Sequence, residues 1–123
     1  MINKVREFQK TGQQIVNDLP TINSYNDCKL RYKLMKEENL EYLGACYNND
    51  KVEILDALVD QAYVLFGSIN FHGMQDVFSE AFRRVHANNM TKFPNGEVLS
   101  NSEGKILKPE GFKAVDLKDL IPS

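Results

Sequence analysis

Residues 51–70 read KVEILDALVDQAYVLFGSIN, and this stretch decides the fold. It contains no Pro, its single Gly comes near the end, and apolar residues fall on almost every side of a helical wheel. A helix of that kind needs burial on several faces, so it is expected to be the central helix of an all-α bundle. Between Ile54 and Phe66 the only charged side chains are Asp56 and Asp60. Carboxylates are seldom buried without a partner, so their position is the most informative anomaly in the chain. At about 100° per residue, Glu53, Asp56 and Asp60 project within a fan of roughly 60° and form one acidic stripe.

Working outward, Asn48, Asn49 and Asp50 interrupt the apolar pattern, and Asp50 is suited to cap the helix that follows. The preceding helix is expected to run from a cap at Asp27 to about Tyr47. On it Glu38 and Glu41 lie three apart, adjacent on the surface and on the same side as Leu30, Leu34 and Ala45. So short a connection makes the two helices antiparallel neighbours, with Glu38-x-x-Glu41 facing Glu53-x-x-Asp56. Four converging carboxylates repel one another and lose hydration, and a cation relieves both penalties. Oxygen-only ligands select Mg²⁺, Mn²⁺ or Ca²⁺ over zinc or copper, and a loose set that keeps several waters suits Mg²⁺ best, with Mn²⁺ as a substitute. Neither His72 nor His86 has a Glu three residues before it, so the di-iron pattern of helical bundles is absent. The bland alternative makes these acids a solvated face or helical partners of Lys33, Lys36 and Lys51. That alternative is preferred only for Glu37.

Toward the N-terminus, Ile2, Val5, Phe8, Ile15 and Val16 recur at helical spacing over residues 2–16, interrupted by Gly12, and residues 17–27 collect turn formers. Beyond the central helix, residues 74–90 repeat apolar positions at three and four, giving a fourth helix. From Lys92 onward Pro-Asn-Gly and Asn-Ser-Glu-Gly turns flank short apolar pairs, which predicts a short β-hairpin or extended tail. The expectation is a four- to five-helix bundle forming one domain over 1–123, with core helices at about 28–91 and an extension at 92–123. The composition, 42% hydrophobic and 26% charged with seven Gly and four Pro, is that of a globular chain. Fifteen basic against 17 acidic residues leave a net charge of −2, with no basic excess for polymeric nucleic acid. No apolar run is long enough for a membrane span, and the charged opening MINKVREFQK points to the cytoplasm. Cys28 and Cys46 fall on one helix, roughly 27 Å apart at about 1.5 Å per residue, and are expected to be free, inert thiols. The apolar central helix exceeds what so short a chain covers alone, so a homodimer or homotetramer is expected.

The pattern Glu37-Glu38-x-x-Glu41, eleven residues, then Glu53-x-x-Asp56 resembles the signature of the all-α nucleoside triphosphate pyrophosphohydrolases, the MazG-like and phosphoribosyl-ATP pyrophosphohydrolase-like superfamily. The stretches VEILDALVDQAYVLFG, VFSEAFRRVHANNMTK and GKILKPEGF extend the resemblance to the phosphoribosyl-ATP branch over about residues 28–113. The resemblance implies that Glu38, Glu41, Glu53 and Asp56 hold Mg²⁺ and that a nucleoside triphosphate is cleaved to a monophosphate and pyrophosphate. It further implies that Asn89 and Lys92 lie near the substrate, with Lys105 and Lys108 as weaker candidates for phosphate contacts. Without it, Asn89 and Lys92 read as a helix C-terminus and the tail lysines as edge protection. Asp60, the last of the acidic stripe, is expected at the substrate, and Glu41 is expected to accept the proton of the attacking water. The chain departs from the branch at Gln9, where members often carry His after the N-terminal Phe. Phosphoribosyl-ATP hydrolysis, or a non-catalytic helical interaction module on the same fold, are the alternative functions.

Overall fold

The computed structural model describes residues 1–122 and contains four α-helices: α1 (Ile2–Thr11), α2 (Tyr25–Tyr47), α3 (Lys51–Phe71) and α4 (Phe78–Met90). Single 3₁₀ turns follow at Pro94–Gly96 and Lys118–Leu120, and no strand occurs among the described residues. The expected all-α class is what the chain adopts. Two compact units divide it, Met1–Asp76 and Val77–Ser123.

In the first unit, α1 stops at Thr11 and not at residue 16, because Gly12 caps it and Gln13 takes a left-handed φ of 58°. Helix α2 starts three residues before the expected position. Ser24 is its N-cap: the Ser24 hydroxyl accepts from the Asp27 N–H at 3.2 Å and donates to the Asp27 carboxylate at 2.7 Å, so Asp27 completes the cap without being the cap itself. Asp50 caps α3 as expected, its Oδ1 accepting from the N–H groups of Val52 and Glu53 at 3.1 Å.

Helix α3 packs against both α1 and α2. The small buried residues Ala45 and Ala57 let α2 and α3 approach closely, and Val5, Ile69 and Phe71 fill the core toward α1. Gln9 and Asn70, both almost fully buried, join the two elements: Gln9 Nε2 donates to the Gly67 carbonyl at 2.8 Å and Asn70 Nδ2 to Gln9 Oε1 at 3.1 Å. The segment before α2 folds back over the end of α3. Asn17 and Asn23 side chains donate to the Phe71 carbonyl and the Thr21 N–H to that of His72, satisfying carbonyls that the helix end leaves open. Gly73 makes this possible with a φ of 66°, since a Cβ there would collide with the Leu19 carbonyl. One expectation needs correction. Within a single chain α3 is buried on one side only, and Val52, Leu55 and Val59 remain 76%, 62% and 52% exposed.

In the second unit, α4 begins at Phe78 and not at residue 74, because residues 75–77 form a turn. Arg84 joins α4 to the end of the chain by a two-pronged ion pair with Asp119, at 2.6 and 2.9 Å, while also contacting Glu80 at 3.1 Å. The expected β-hairpin is not built. A loop closed by Asn101 brings Ser100 and Ile106 into one antiparallel bridge, with the Leu107 N–H donating to the Leu99 carbonyl at 2.8 Å. The pairing stops at Leu99 and Leu107, and no further strand pairing occurs among the described residues of the tail. No helix of the described residues is long and apolar enough to cross a membrane.

Candidate metal centre

Residues equidistant from the turn of an antiparallel helical hairpin lie opposite one another, and the α2–α3 turn centres on Asn49, with a φ of 53°. Glu38 stands eleven residues before it and Asp60 eleven after; Glu41 and Ala57 are each eight away, Ala45 and Glu53 four. This register explains the site. Glu38, Glu41 and Asp60 each offer one carboxylate oxygen to a locus in which all three lie within 4.8 Å of one another. Glu38 and Asp60 are half-buried and Glu41 is exposed.

The electrostatics are those of an uncompensated cluster. Burial, the contact with Glu41, and the charges of Glu41, Asp60 and Glu37 all push the Glu38 carboxyl above its usual range. Asp60 is raised by burial and then by the charges of Asp56 and Glu41. Glu38 Oε2 is shut off from solvent and has no hydrogen-bond partner among the described residues. No Lys or Arg of the described residues lies within ion-pair distance of these acids, the pairs being Arg6–Asp18, Glu80 with Arg83 and Arg84, and Arg84–Asp119. Lys33, Lys36 and Lys51 therefore do not serve as helical partners. An orphaned buried oxygen within an all-oxygen donor set is what a hard divalent cation satisfies, and the residues fit such an ion.

Glu53 and Asp56 lie outside the tight trio. Both are exposed, and together with Glu41 they line an open cavity of about 350 Å³ floored by Ala45 and Ala57. The structure thus gathers Glu38, Glu41 and Asp60 at one point and sets Glu53 and Asp56 along the adjoining cavity. Asp60, expected at the substrate, sits directly among the carboxylates.

In the second unit Asn89 is exposed on the last turn of α4. Lys92 and Lys108 meet on one ring, their Nζ atoms 5.6 and 5.8 Å from the centroid of Phe112. Lys105 is exposed on the loop closed by Asn101. Sequence reading passed over Arg31, which inserts between α2 and α3. The signal was available, since Arg31 precedes Glu38 by seven residues, two helical turns, on the same face of α2.

An all-α chain whose central hairpin gathers unpaired carboxylates is built as a helical hydrolase of phosphoric anhydrides. The chain belongs to the phosphoribosyl-ATP pyrophosphohydrolase family, which it matches over residues 5–89. The matched span includes most of α1, all of α2 and α3, all five carboxylates, Arg31 and Asn89, and stops before Lys92, Lys105 and Lys108. No curated protein matches the chain.

Proposed function

We propose that the chain is a Mg²⁺-dependent nucleoside triphosphate pyrophosphohydrolase, releasing a nucleoside monophosphate and pyrophosphate. The observation that carries this reading is the three-carboxylate locus, with its buried and unbonded Glu38 oxygen and no Lys or Arg among the described residues paired with it. A bound divalent ion supplies charge neutralisation to the phosphate oxygens and makes a nearby water more acidic, Mn²⁺ being the natural substitute.

The residues divide the work by burial. Half-buried Glu38 and Asp60 are held by packing and serve as fixed ligands. Exposed Glu53 and Asp56, on the wall of the adjoining cavity, would complete the ligand set. Glu41 belongs both to the trio and to the open cavity, which suits it to take the proton of the attacking water while the water oxygen bonds to phosphorus and the anhydride oxygen departs on pyrophosphate. Asn89 and Lys92, with Lys105 and Lys108 in support, are assigned to the substrate phosphates, where cationic donors offset developing charge.

The exposed apolar faces of α2 and α3, including Leu43 at 65% and Leu55 at 62%, support a homodimer or a dimer of dimers. The free thiols Cys28 and Cys46 fit a reducing, cytoplasmic setting. The family description favours phosphoribosyl-ATP as the alternative substrate at the same centre. The deciding experiment incubates the full chain with ribo- and deoxyribonucleoside triphosphates and phosphoribosyl-ATP, with and without Mg²⁺, and resolves pyrophosphate from orthophosphate. Mg²⁺-dependent pyrophosphate release supports the reading; turnover insensitive to a chelator, or orthophosphate alone, overturns it.

A further inference from the structure

Arg31 is a half-buried cation with no acidic partner among the described residues. Its Nε donates to Ser68 Oγ at 3.1 Å and its Nη2 to the Val64 carbonyl at 2.8 Å, so the side fork of the guanidinium is committed to α3. Asp27, one turn earlier on α2, forms no ion pair with it and bonds Ser24 instead. The guanidinium lies over Gly67, which stands eighteen residues after Asn49 as Arg31 stands eighteen before. A Cβ on Gly67 would collide with Nη2. Glycine at this point is what lets a long cation lie flat between two helices.

The end fork, Nη1 and the second hydrogen of Nη2, makes no bond within the described residues. Two hollows border Arg31, of about 280 and 210 Å³, and Gln14 and Leu34 line both. The larger is walled by Phe8 and Tyr63, whose rings meet edge to face at 5.5 Å. Arg31 and Glu38 share a face of α2 seven residues apart, roughly 10 Å along the helix axis, and Gly67 and Asp60 repeat that spacing on α3. An aromatic-walled hollow bordered by an arginine with uncommitted donors therefore lies two turns from the carboxylate trio. That is the arrangement of the two ends of one nucleotide.

We infer that Arg31 is a specificity-determining residue that reads the base of the substrate and selects guanine; this rests on the nucleotide reading proposed above. Guanine presents two adjacent acceptors, O6 and N7, on one edge, which match an arginine fork. Adenine and cytosine turn an amino donor toward it, leaving donor against donor. A flat ring against Phe8 and Tyr63 supplies the apolar contact, and the fork supplies the choice.

The test has two arms on the full chain. The first measures kcat and KM for GTP, ATP, CTP, UTP and phosphoribosyl-ATP in wild type, Arg31→Lys and Gly67→Ala. The second measures binding of GMP and AMP by calorimetry without metal, in wild type, both variants and Glu41→Gln. Wild type is expected to prefer guanine by about 5- to 150-fold, the range for one two-pronged arginine contact, with the difference carried by KM. Arg31→Lys, which loses the fork, and Gly67→Ala, which keeps the arginine but displaces it, each reduce that ratio toward unity. Glu41→Gln retains the GMP preference. Equal use of all bases by wild type, or a guanine preference that survives both variants, overturns the inference while leaving the hydrolase reading intact. A preference for phosphoribosyl-ATP over ATP that Arg31→Lys removes also overturns it, since the fork would then hold a phosphate. GMP preference without any hydrolysis sustains the base site and sinks the proposed activity.

Discussion

Glu38 and Asp60 face each other across the α2–α3 hairpin, each eleven residues from Asn49, and with Glu41 bring three carboxylate oxygens within 4.8 Å. Each of the two is raised above its ordinary range by burial first, then Glu38 by its contact with Glu41 and both by neighbouring like charges. An acid whose pKa is higher in the folded than in the unfolded chain destabilises the fold when ionised, and the penalty disappears as pH falls through the folded value. Metal-free protein is therefore expected to melt at a higher temperature near pH 5 than near pH 7.5, the window above the ordinary carboxylate range of about 4. Saturating Mg²⁺ should flatten this slope and raise the melting temperature at neutral pH. Thermal melts at several pH values, with chelator or with Mg²⁺, check it; a metal-free melting temperature that climbs between pH 5 and 7.5 would count against the cluster.

Glu41 separates catalysis from folding. It is exposed, so replacing it with Gln removes charge without opening a cavity, and the helical content should be unchanged. Turnover is expected to fall by at least about a hundredfold, the low end for losing a general base. Circular dichroism and pyrophosphate release on the same sample distinguish a chemical loss from an unfolded one.

Ala45 and Ala57 set the spacing of α2 and α3 beside the carboxylates, each 4% exposed. Ala57→Leu should cost about 1–3 kcal/mol by overpacking. Because the helices must part to admit the added atoms, it should also weaken Mg²⁺ binding, measurable by calorimetry under conditions where the variant is folded. Stability loss with unchanged metal affinity would show that the centre does not depend on this close approach.

The second unit responds to acid in the opposite sense. Hydrogen bonds from Arg83 and Arg84 hold Glu80 down to about 2, and Arg84 lowers Asp119. Carboxyls with depressed folded values stabilise above the ordinary carboxylate range and lose that contribution as pH falls toward the folded value. Amide exchange at Lys118–Leu120 should therefore quicken between about pH 4.5 and 2, beyond the intrinsic pH dependence of exchange. Arg84→Ala should produce the same loosening at neutral pH, and Arg84→Lys should rescue little, since an ammonium cannot make the two-pronged contact. Unchanged protection in Arg84→Ala would show that the tail is held by other contacts.

The all-α class was legible because α3 announces itself: twenty-one residues of apolar helix with a capping Asp50 before it leave few alternatives. The acidic stripe was legible for the same reason, as charge where burial is expected. What the wheel does not give is register across the hairpin. Counting from Asn49 puts Asp60, and not Glu53, opposite Glu38, and puts Arg31 over Gly67, but that count depends on knowing that the turn centres on Asn49. Helix ends misplaced by three to five residues were decided by caps such as Ser24 and Gly12, whose local hydrogen bonds outweigh periodicity. The tail hairpin failed because turn signals specify a reversal, which Asn101 closes here, but do not specify pairing of the flanking residues, which stops at Leu99 and Leu107.

Leu43 and Leu55 test the proposed assembly. Each is more than half exposed, at 65% and 62%, on helices that already spend their other side on the core. On a monomer, replacing Leu55 with Glu would be a surface change within about 0.5 kcal/mol, and more soluble if anything. At a homodimer interface the same charge would be desolvated against apolar residues of the second copy and cost several times as much. Light scattering should therefore give a multimeric mass for wild type and a lower one for Leu55→Glu. The melting temperature of wild type should rise with protein concentration, and that dependence should vanish in the variant. A monomeric mass for wild type at working concentration, with Leu55→Glu equally stable, would mean that α3 tolerates its exposed leucines and valines without a partner.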